Sequence, residues 1–278
     1  MSAEIPGDGR GVLAAPRAVP RTEQRNPRTT GIDTVSAEDV LRLLNAEDAT
    51  VPGAVASALP VLALVVDKVV DCVRAGGRVH YFGAGTSGRM AVLDAAEVVP
   101  TFGLGGVFIA HHAGGSQALG TAVEDAEDDT ELGAKDAGSV TAADVAVGIT
   151  ASGRTPYVAG ALGVARLAGA VTVLISSNPI APLAGLADYL VVADTGPEAI
   201  AGSTRLKAAT AQKLLLNALS TAAMVRLGRE RSPDTAAGGA ERLGCRVRFQ
   251  AGQQAEQSEP QVAAAQGELG PAGGFVGA

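Results

Sequence analysis

Three short clusters of glycine and hydroxyl residues each stand just before a segment of helical pattern, and each could hold an anion. They are Gly83-Ala84-Gly85-Thr86-Ser87-Gly88-Arg89, Thr150-Ala151-Ser152-Gly153-Arg154-Thr155-Pro156 and Gly202-Ser203-Thr204-Arg205-Leu206-Lys207. The first amides of a helix lack intrahelical partners, and glycine lets a phosphate approach them closely. Thr86 and Ser87 add side-chain donors at the first cluster, and Pro156 suits a first helical turn at the second. The first cluster has the form GxGxxG, the pattern of a dinucleotide loop. However, the next apolar run, Val107 to Ala110, leads into His111-His112 with no carboxylate to hold a ribose. No GxxxxGK[ST] occurs. The reading that remains is convergence of hydroxyl-rich helix starts on a phosphate and a polyhydroxylated ligand; the alternative is a set of Gly-rich turns with no ligand.

Carboxylates are the reactive groups on offer. Glu97 ends the helical pattern that follows the first cluster, flanked by Ala95, Ala96, Val98 and Val99. Partial burial there would raise its pKa toward that of a general acid, whereas the structural alternative is a helix-end carboxylate paired with Arg. Glu124, Asp125, Glu127, Asp128 and Asp129 form an acidic run, most of which a bare charge pattern assigns to solvent.

The elements that must position these groups are legible as short apolar runs alternating with helical stretches. The expected strands are Arg78 to Phe82, Gly106 to Ala110, Asp144 to Ile149, Ala170 to Ser176 and Tyr189 to Ala193. Helices are expected over Ser87 to Glu97, Ser116 to Glu127, Pro156 to Leu167, Pro182 to Leu186 and Leu206 to Leu227. Ahead of them lie a short helix capped by Ser36 and a longer one from Gly53 to Arg74, stopped by Gly76-Gly77. The fold class is therefore α/β: a five-stranded parallel doubly wound sheet with a helical N-terminal section, binding ligands where the strands end. The expected division is an extended arm over 1–30, N-terminal helices over 31–77, the doubly wound domain over 78–228 and a tail over 229–278. That tail offers only sparse apolar residues, among them Leu243, Val247 and Phe249, so it is expected to be disordered.

Composition agrees with this class. Of 278 residues 47% are hydrophobic but 3% aromatic, which calls for a core of Ala, Val and Leu and disfavours base-stacking platforms. The net charge of -7 disfavours a general polyanion surface, so no nucleic acid partner is expected. Cys72 and Cys245 stand far apart, and with only His80, His111 and His112 beside them no disulfide framework or metal site is expected. The apolar run Val61 to Val66 is broken by Asp67 and Lys68, and MSAEIPGDGR has acidic residues where a signal peptide needs basic ones. The expectation is no membrane span and a cytoplasmic location.

Taken in order, several segments resemble the N-acetylmuramic acid 6-phosphate etherases, lyases built on the sugar isomerase (SIS) domain within the glucokinase-regulatory-protein-like group. They are TEQRNPRTTGID (22–33), LRLLNAEDATVPGAV (41–55), GGRVHYFGAGTSGRMAVLDAAEVVPTFG (76–103), AVEDAEDD (122–129), VGITASGRTPYVAGAL (147–162) and GPEAIAGSTRLKAATAQKLLLNALSTAAMVRLG (196–228). The resemblance implies cleavage of the D-lactyl ether of a sugar 6-phosphate in cell-wall amino sugar recycling, by a homodimer without cofactor or metal. It places the proton donor at Glu97 and a second catalytic carboxylate at Glu127. By the same resemblance Thr86, Ser87, Ser152 and Thr155 face the sugar phosphate, with Ser203, Thr204 and Lys207 completing the site. A non-catalytic sugar-phosphate regulator of the same fold is the alternative, and a phosphosugar isomerase a third. Asp125 stands where the family has Gly, Val98-Val99 replace Cys-Pro, and after Gly228 the chain reads RERSPDTAAGGAERLGCRV in place of an NLMVDV-type segment. That last change has the character of an altered reading frame.

Overall fold

The computed structural model describes residues 19–121, 123 and 125–229. Its centre is a sheet of five parallel strands: β1 (Val79–Gly83), β2 (Phe108–His112), β3 (Val145–Thr150), β4 (Val171–Ser176) and β5 (Tyr189–Val192), in the order β2-β1-β3-β4-β5. Successive side chains on a strand point to opposite faces, so both faces here must be apolar. Val79, Tyr81, Val147, Ile149, Val173 and Ile175 enter one core, whereas Phe82, Ala146 and Leu174 enter the other. Helices α2 (Val51–Arg74), α3 (Gly85–Phe102) and α7 (Lys207–Arg226) cover the first face, and α5 (Thr130–Asp136) and α6 (Pro156–Leu167) cover the second. The remaining helices are α1 (Ala37–Asp48) and the single turn α4 (Gln117–Gly120).

This order places β2 to one side of β1 and β3 to the other, so chain direction switches between β1 and β3. Gly83 is in register with both His112 and Ile149. The loops after β1 and β3 thus open side by side at the switch point, where ligands of doubly wound sheets bind.

The expected strands are all present, with β2 displaced two residues toward the C-terminus. Helix α3 is longer than expected: it runs through Pro100 and ends only where Gly103 takes a left-handed conformation, φ +67°. The helix expected over Ser116 to Glu127 is instead α4, followed by turns. The chain leaves α4 extended at Thr121 (φ -132°, ψ 154°), and Asp125 has positive φ (61°), a geometry that a helix cannot contain. Asp129 then caps α5, its Oδ1 accepting from Leu132 N at 2.8 Å.

Residues 19–30 correct the expectation of an arm with no folded part. Two 3-10 turns, Arg21–Glu23 and Pro27–Thr29, pack on the loop before α7. Gly202 N donates to Thr22 O (3.0 Å), Asn26 Nδ2 to Pro197 O (3.2 Å) and Thr29 Oγ1 to Ala199 O (2.8 Å). The expected disordered tail over 229–278 lies, from 230 on, outside the described residues, as do Cys245 and Glu124.

Ala37–Arg74 contains a stretch of mean hydropathy 2.0, long and apolar enough to cross a membrane. The core helix of a folded domain has the same character, and α2 lays Val55, Leu62, Val65, Val66, Val69 and Val73 against the sheet. Its outer face exposes Leu59 and Leu64.

Candidate active site

At the first cluster the chain turns from β1 into α3 with strand and helix in backbone contact. A Cβ on Gly88 would sit 2.6 Å from Gly83 O and 2.4 Å from the His112 ring, so only glycine allows this approach. Ala84 is an extended N-cap with no side-chain hydrogen bond, which leaves the first amides of α3 open to a ligand. Helix α6 likewise starts at Pro156 behind Thr155 with no side-chain cap. The loop between β3 and α6 is held from within. Thr150 Oγ1 lies 2.7 Å from Thr155 Oγ1, Asn178 Nδ2 donates to Ser152 O at 2.8 Å, and Gly153 turns at φ +72° against Ala181.

Between these two helix starts is a cavity of about 230 Å³. Thr86 and Ser87 line it from α3, Thr150, Ser152 and Thr155 from the β3 loop, and Thr204 from the loop before α7. Glu127 lines it from the turn between α4 and α5, where its carbonyl accepts from Tyr157 N at 3.0 Å and anchors the turn to α6. Of the residues expected at the site, the structure gathers Thr86, Ser87, Glu127, Ser152, Thr155 and Thr204 around this one space.

The others stand apart, each for an identifiable reason. Lys207 is fully buried, and its Nζ donates to Glu47 Oε2 at 2.7 Å. Arg28 Nη2 reaches the same oxygen at 2.8 Å, and this contact, more than Lys207, holds the Glu47 carboxyl down to about 2 against the opposing effect of burial. Lys207 therefore joins α7 to α1 and the N-terminal segment and does not face a ligand. The N-terminus of α7 is already occupied too: the buried Glu198 carboxylate accepts from Lys207 N (3.0 Å) and Ala208 N (2.9 Å). Burial pushes the Glu198 carboxyl up, while those amides and the Lys207 charge oppose it. Ser203 is spent in the turn, its amide donating to Ile200 O, and it does not line the cavity.

Glu97 also departs from expectation. The buried stripe of α3 is Gly88, Ala91, Asp94 and Val98, and Glu97 lies one step off it, exposed instead of partly buried. It lines a different cavity, of about 240 Å³, between α3 and α7, together with Asp94, Thr101, Lys213, Asn217 and Ser220. Ten residues of helix separate it from Ser87, about 15 Å along the axis. Within one chain Glu97 and Glu127 do not share a cavity. Asp94 is the buried acid of that region, accepting from Ser220 Oγ (2.9 Å) and Tyr81 OH (3.1 Å), and burial raises its pKa.

Thr22 and Glu23 complete the wall of the Glu127 cavity and were not among the expected residues. Glu23 Oε1 accepts from Arg154 Nη2 at 2.6 Å, which ties the N-terminal segment to the β3 loop. Thr22 is buried and its Oγ1 has no hydrogen-bond partner among the described residues. Their segment has no periodicity that could have signalled this; the only sign was its place in an ordered set of family-like stretches.

The glucokinase regulatory protein N-terminal SIS domain matches residues 61–166, and the SIS domain matches residues 115–222. Among solved structures, a phosphoheptose isomerase from Francisella tularensis superposes with TM-score 0.53 at 19% identity, covering 68% of this chain and 98% of its own. The Vibrio vulnificus NanR protein complexed with ManNAc-6P gives TM-score 0.52 at 18% identity, covering 72% and 68%. At such identities these two establish the fold alone. The N-acetylmuramic acid 6-phosphate etherase of Thermobifida fusca is 61% identical over 208 residues, 74% of this chain and 68% of that protein. Its namesake in Brucella anthropi is 52% identical over 211 residues, 75% and 69%. With identity at this level across two thirds of those enzymes, spanning both helix starts and both carboxylates, the chain belongs to the N-acetylmuramic acid 6-phosphate etherase family.

Proposed function

We propose that this chain is a lyase that cleaves the D-lactyl ether of N-acetylmuramic acid 6-phosphate, yielding N-acetylglucosamine 6-phosphate and D-lactate in amino sugar recycling in the cytoplasm. The observation that carries the reading is the cavity at the switch point, where the uncapped N-terminus of α3 and a ring of hydroxyls face Glu127, the other carboxylate of the wall, Glu23, being paired with Arg154. The phosphate sits on the open amides of α3, with Thr86, Ser87, Ser152, Thr155 and Thr204 donating to it and to the sugar hydroxyls.

In the ring-opened sugar the C2 hydrogen is α to the C1 aldehyde and acidic enough for a positioned carboxylate to remove. Glu127 takes that proton, the C3–O bond to lactate breaks as the C2–C3 double bond forms, and an acid protonates the departing lactate oxygen. Water then adds at C3 of the unsaturated aldehyde, with its proton returned to C2. Glu97 is the proposed acid. Since it does not share a cavity with Glu127 in one chain, the reading includes a homodimer in which Glu97 of one copy serves the Glu127 cavity of the other. Glu97 is exposed, and Leu93, one turn before it on α3, presents apolar surface suited to such a contact. Residues 78–228 form the proposed sugar-phosphate unit, and 31–77 its helical support.

The direct test is incubation with N-acetylmuramic acid 6-phosphate and assay of D-lactate. Release is expected. Saturable binding of the sugar phosphate without lactate would overturn the etherase reading in favour of a non-catalytic binder of the same fold.

A further inference from the structure

On the far side of Glu127 lies a second cavity, of about 270 Å³, which shares Ala84, Gly85 and Glu127 with the first. The two cavities therefore meet at the proposed base. Among the described residues no Lys or Arg lines the first cavity, whereas Arg89 lines the second, with His112 and Asp125 nearby. The His112 ring is turned toward the backbone, its nitrogens lying 2.7 Å from Ala113 O and 3.0 Å from Gly85 O, one of them donating. Arg89 is held by one edge only. Its Nε donates to Leu119 O (3.1 Å) and its Nη2 to Ala118 O (2.8 Å), and its Nη1 makes no hydrogen bond to a described residue.

From this arrangement we infer that the second cavity is the subsite for the lactyl carboxylate, with Arg89 as its cation. The inference rests on the etherase reading and deepens it. The ether oxygen sits on C3, next to the carbon that Glu127 deprotonates, so the lactyl group must lie within a few ångströms of that base. Its carboxylate then faces Glu127 and Asp125, a repulsion that only a nearby cation offsets. A guanidinium already fixed along one edge presents the rest of its donor fork to an incoming carboxylate with little further ordering. Phosphate and lactyl carboxylate are thus bound by different means: helix amides and hydroxyls at one end, a guanidinium at the other.

The test compares a lactyl-bearing ligand with a lactyl-free one. In Arg89→Gln, which keeps an amide donor for the α4 carbonyls, kcat/KM for N-acetylmuramic acid 6-phosphate should fall about 10- to 100-fold, mainly through KM. The calorimetric Kd for N-acetylglucosamine 6-phosphate should stay within about twofold, which also reports an intact fold. Arg89→Lys, which retains charge without the fork, should lie between. Equal weakening of both ligands, or no change in either, would overturn the inference. If wild type releases no D-lactate, the etherase reading fails separately. The subsite would still be tested by the Kd values, since an Arg89-dependent preference for the lactyl-bearing sugar supports it and the absence of one refutes it.

Discussion

Glu127 and Glu97 belong to opposite kinds of surroundings. Glu127 stands on a turn at the carboxyl edge of the sheet, where the β1 and β3 loops and the N-terminal segment converge on a polar cavity. Glu97 stands within helix α3, exposed on the outer layer formed by α3 and α7, with the exposed Leu93 one turn before it. The first setting is complete within the chain. The second has the open, partly apolar character of a surface that another molecule covers, and this contrast is why the proposed site draws on two copies. A third carboxylate sharpens it: Glu47 is buried, held by Arg28 and Lys207, and touches neither cavity. It shows what an acid committed to structure looks like in this fold.

The largest expected effects separate these three roles. Glu127→Gln and Glu97→Gln should each lower kcat by about 10²- to 10⁴-fold in the lactate assay while the thermal midpoint changes little. Glu47→Gln should do the reverse. It leaves Lys207 buried with a weakened partner and should cost about 3–5 kcal/mol in urea unfolding, with kcat retained in the folded fraction. The pH dependence has a definite sign. Glu47 is held near 2, below its reference value of 4.5, so its contribution is complete above pH 4.5 and disappears as pH falls toward 2. An acid-unfolding profile that Glu47→Gln leaves unchanged would break this part of the comparison.

Smaller effects test the cavity wall. Ser87→Ala should weaken N-acetylglucosamine 6-phosphate binding about fivefold, the worth of one hydrogen bond, whereas Ser203→Ala should leave it unchanged. Equal losses would mean that Ser203 faces the ligand as Thr204 does. The smallest effect is expected at Asp125, the described non-glycine residue with positive φ. Asp125→Gly should raise unfolding stability by up to about 1 kcal/mol, because the left-handed conformation is strained for a side chain that glycine lacks.

Much of the scaffold was legible because its signals are local. Five short apolar runs and the glycine clusters marked every strand and the starts of α3 and α6, and the parallel arrangement followed from strand-helix alternation. What escaped was tertiary. Lys207 reads as a ligand-facing cation beside Ser203 and Thr204, yet whether it turns outward depends on Glu47, 160 positions earlier. Glu97 reads as partly buried among alanines and valines, but helical phase puts Asp94 and Val98 inward and leaves Glu97 out. The helix expected over Ser116 to Glu127 fails where Thr121 turns extended and Asp125 takes a positive φ, which neither residue type signals. Thr22 and Glu23 reach the cavity through long-range contacts from a segment without periodicity.

Complementation between inactive variants tests the two-copy site most directly. Glu97→Ala and Glu127→Ala chains, co-expressed and purified as a mixed population, pair at random into dimers of which half are mixed. Each mixed dimer would hold one complete site, so D-lactate release should recover to about a quarter of the wild-type rate per chain. Activity no higher than that of the separate variants would contradict a site shared between copies and return the search for the acid to the chain that carries Glu127.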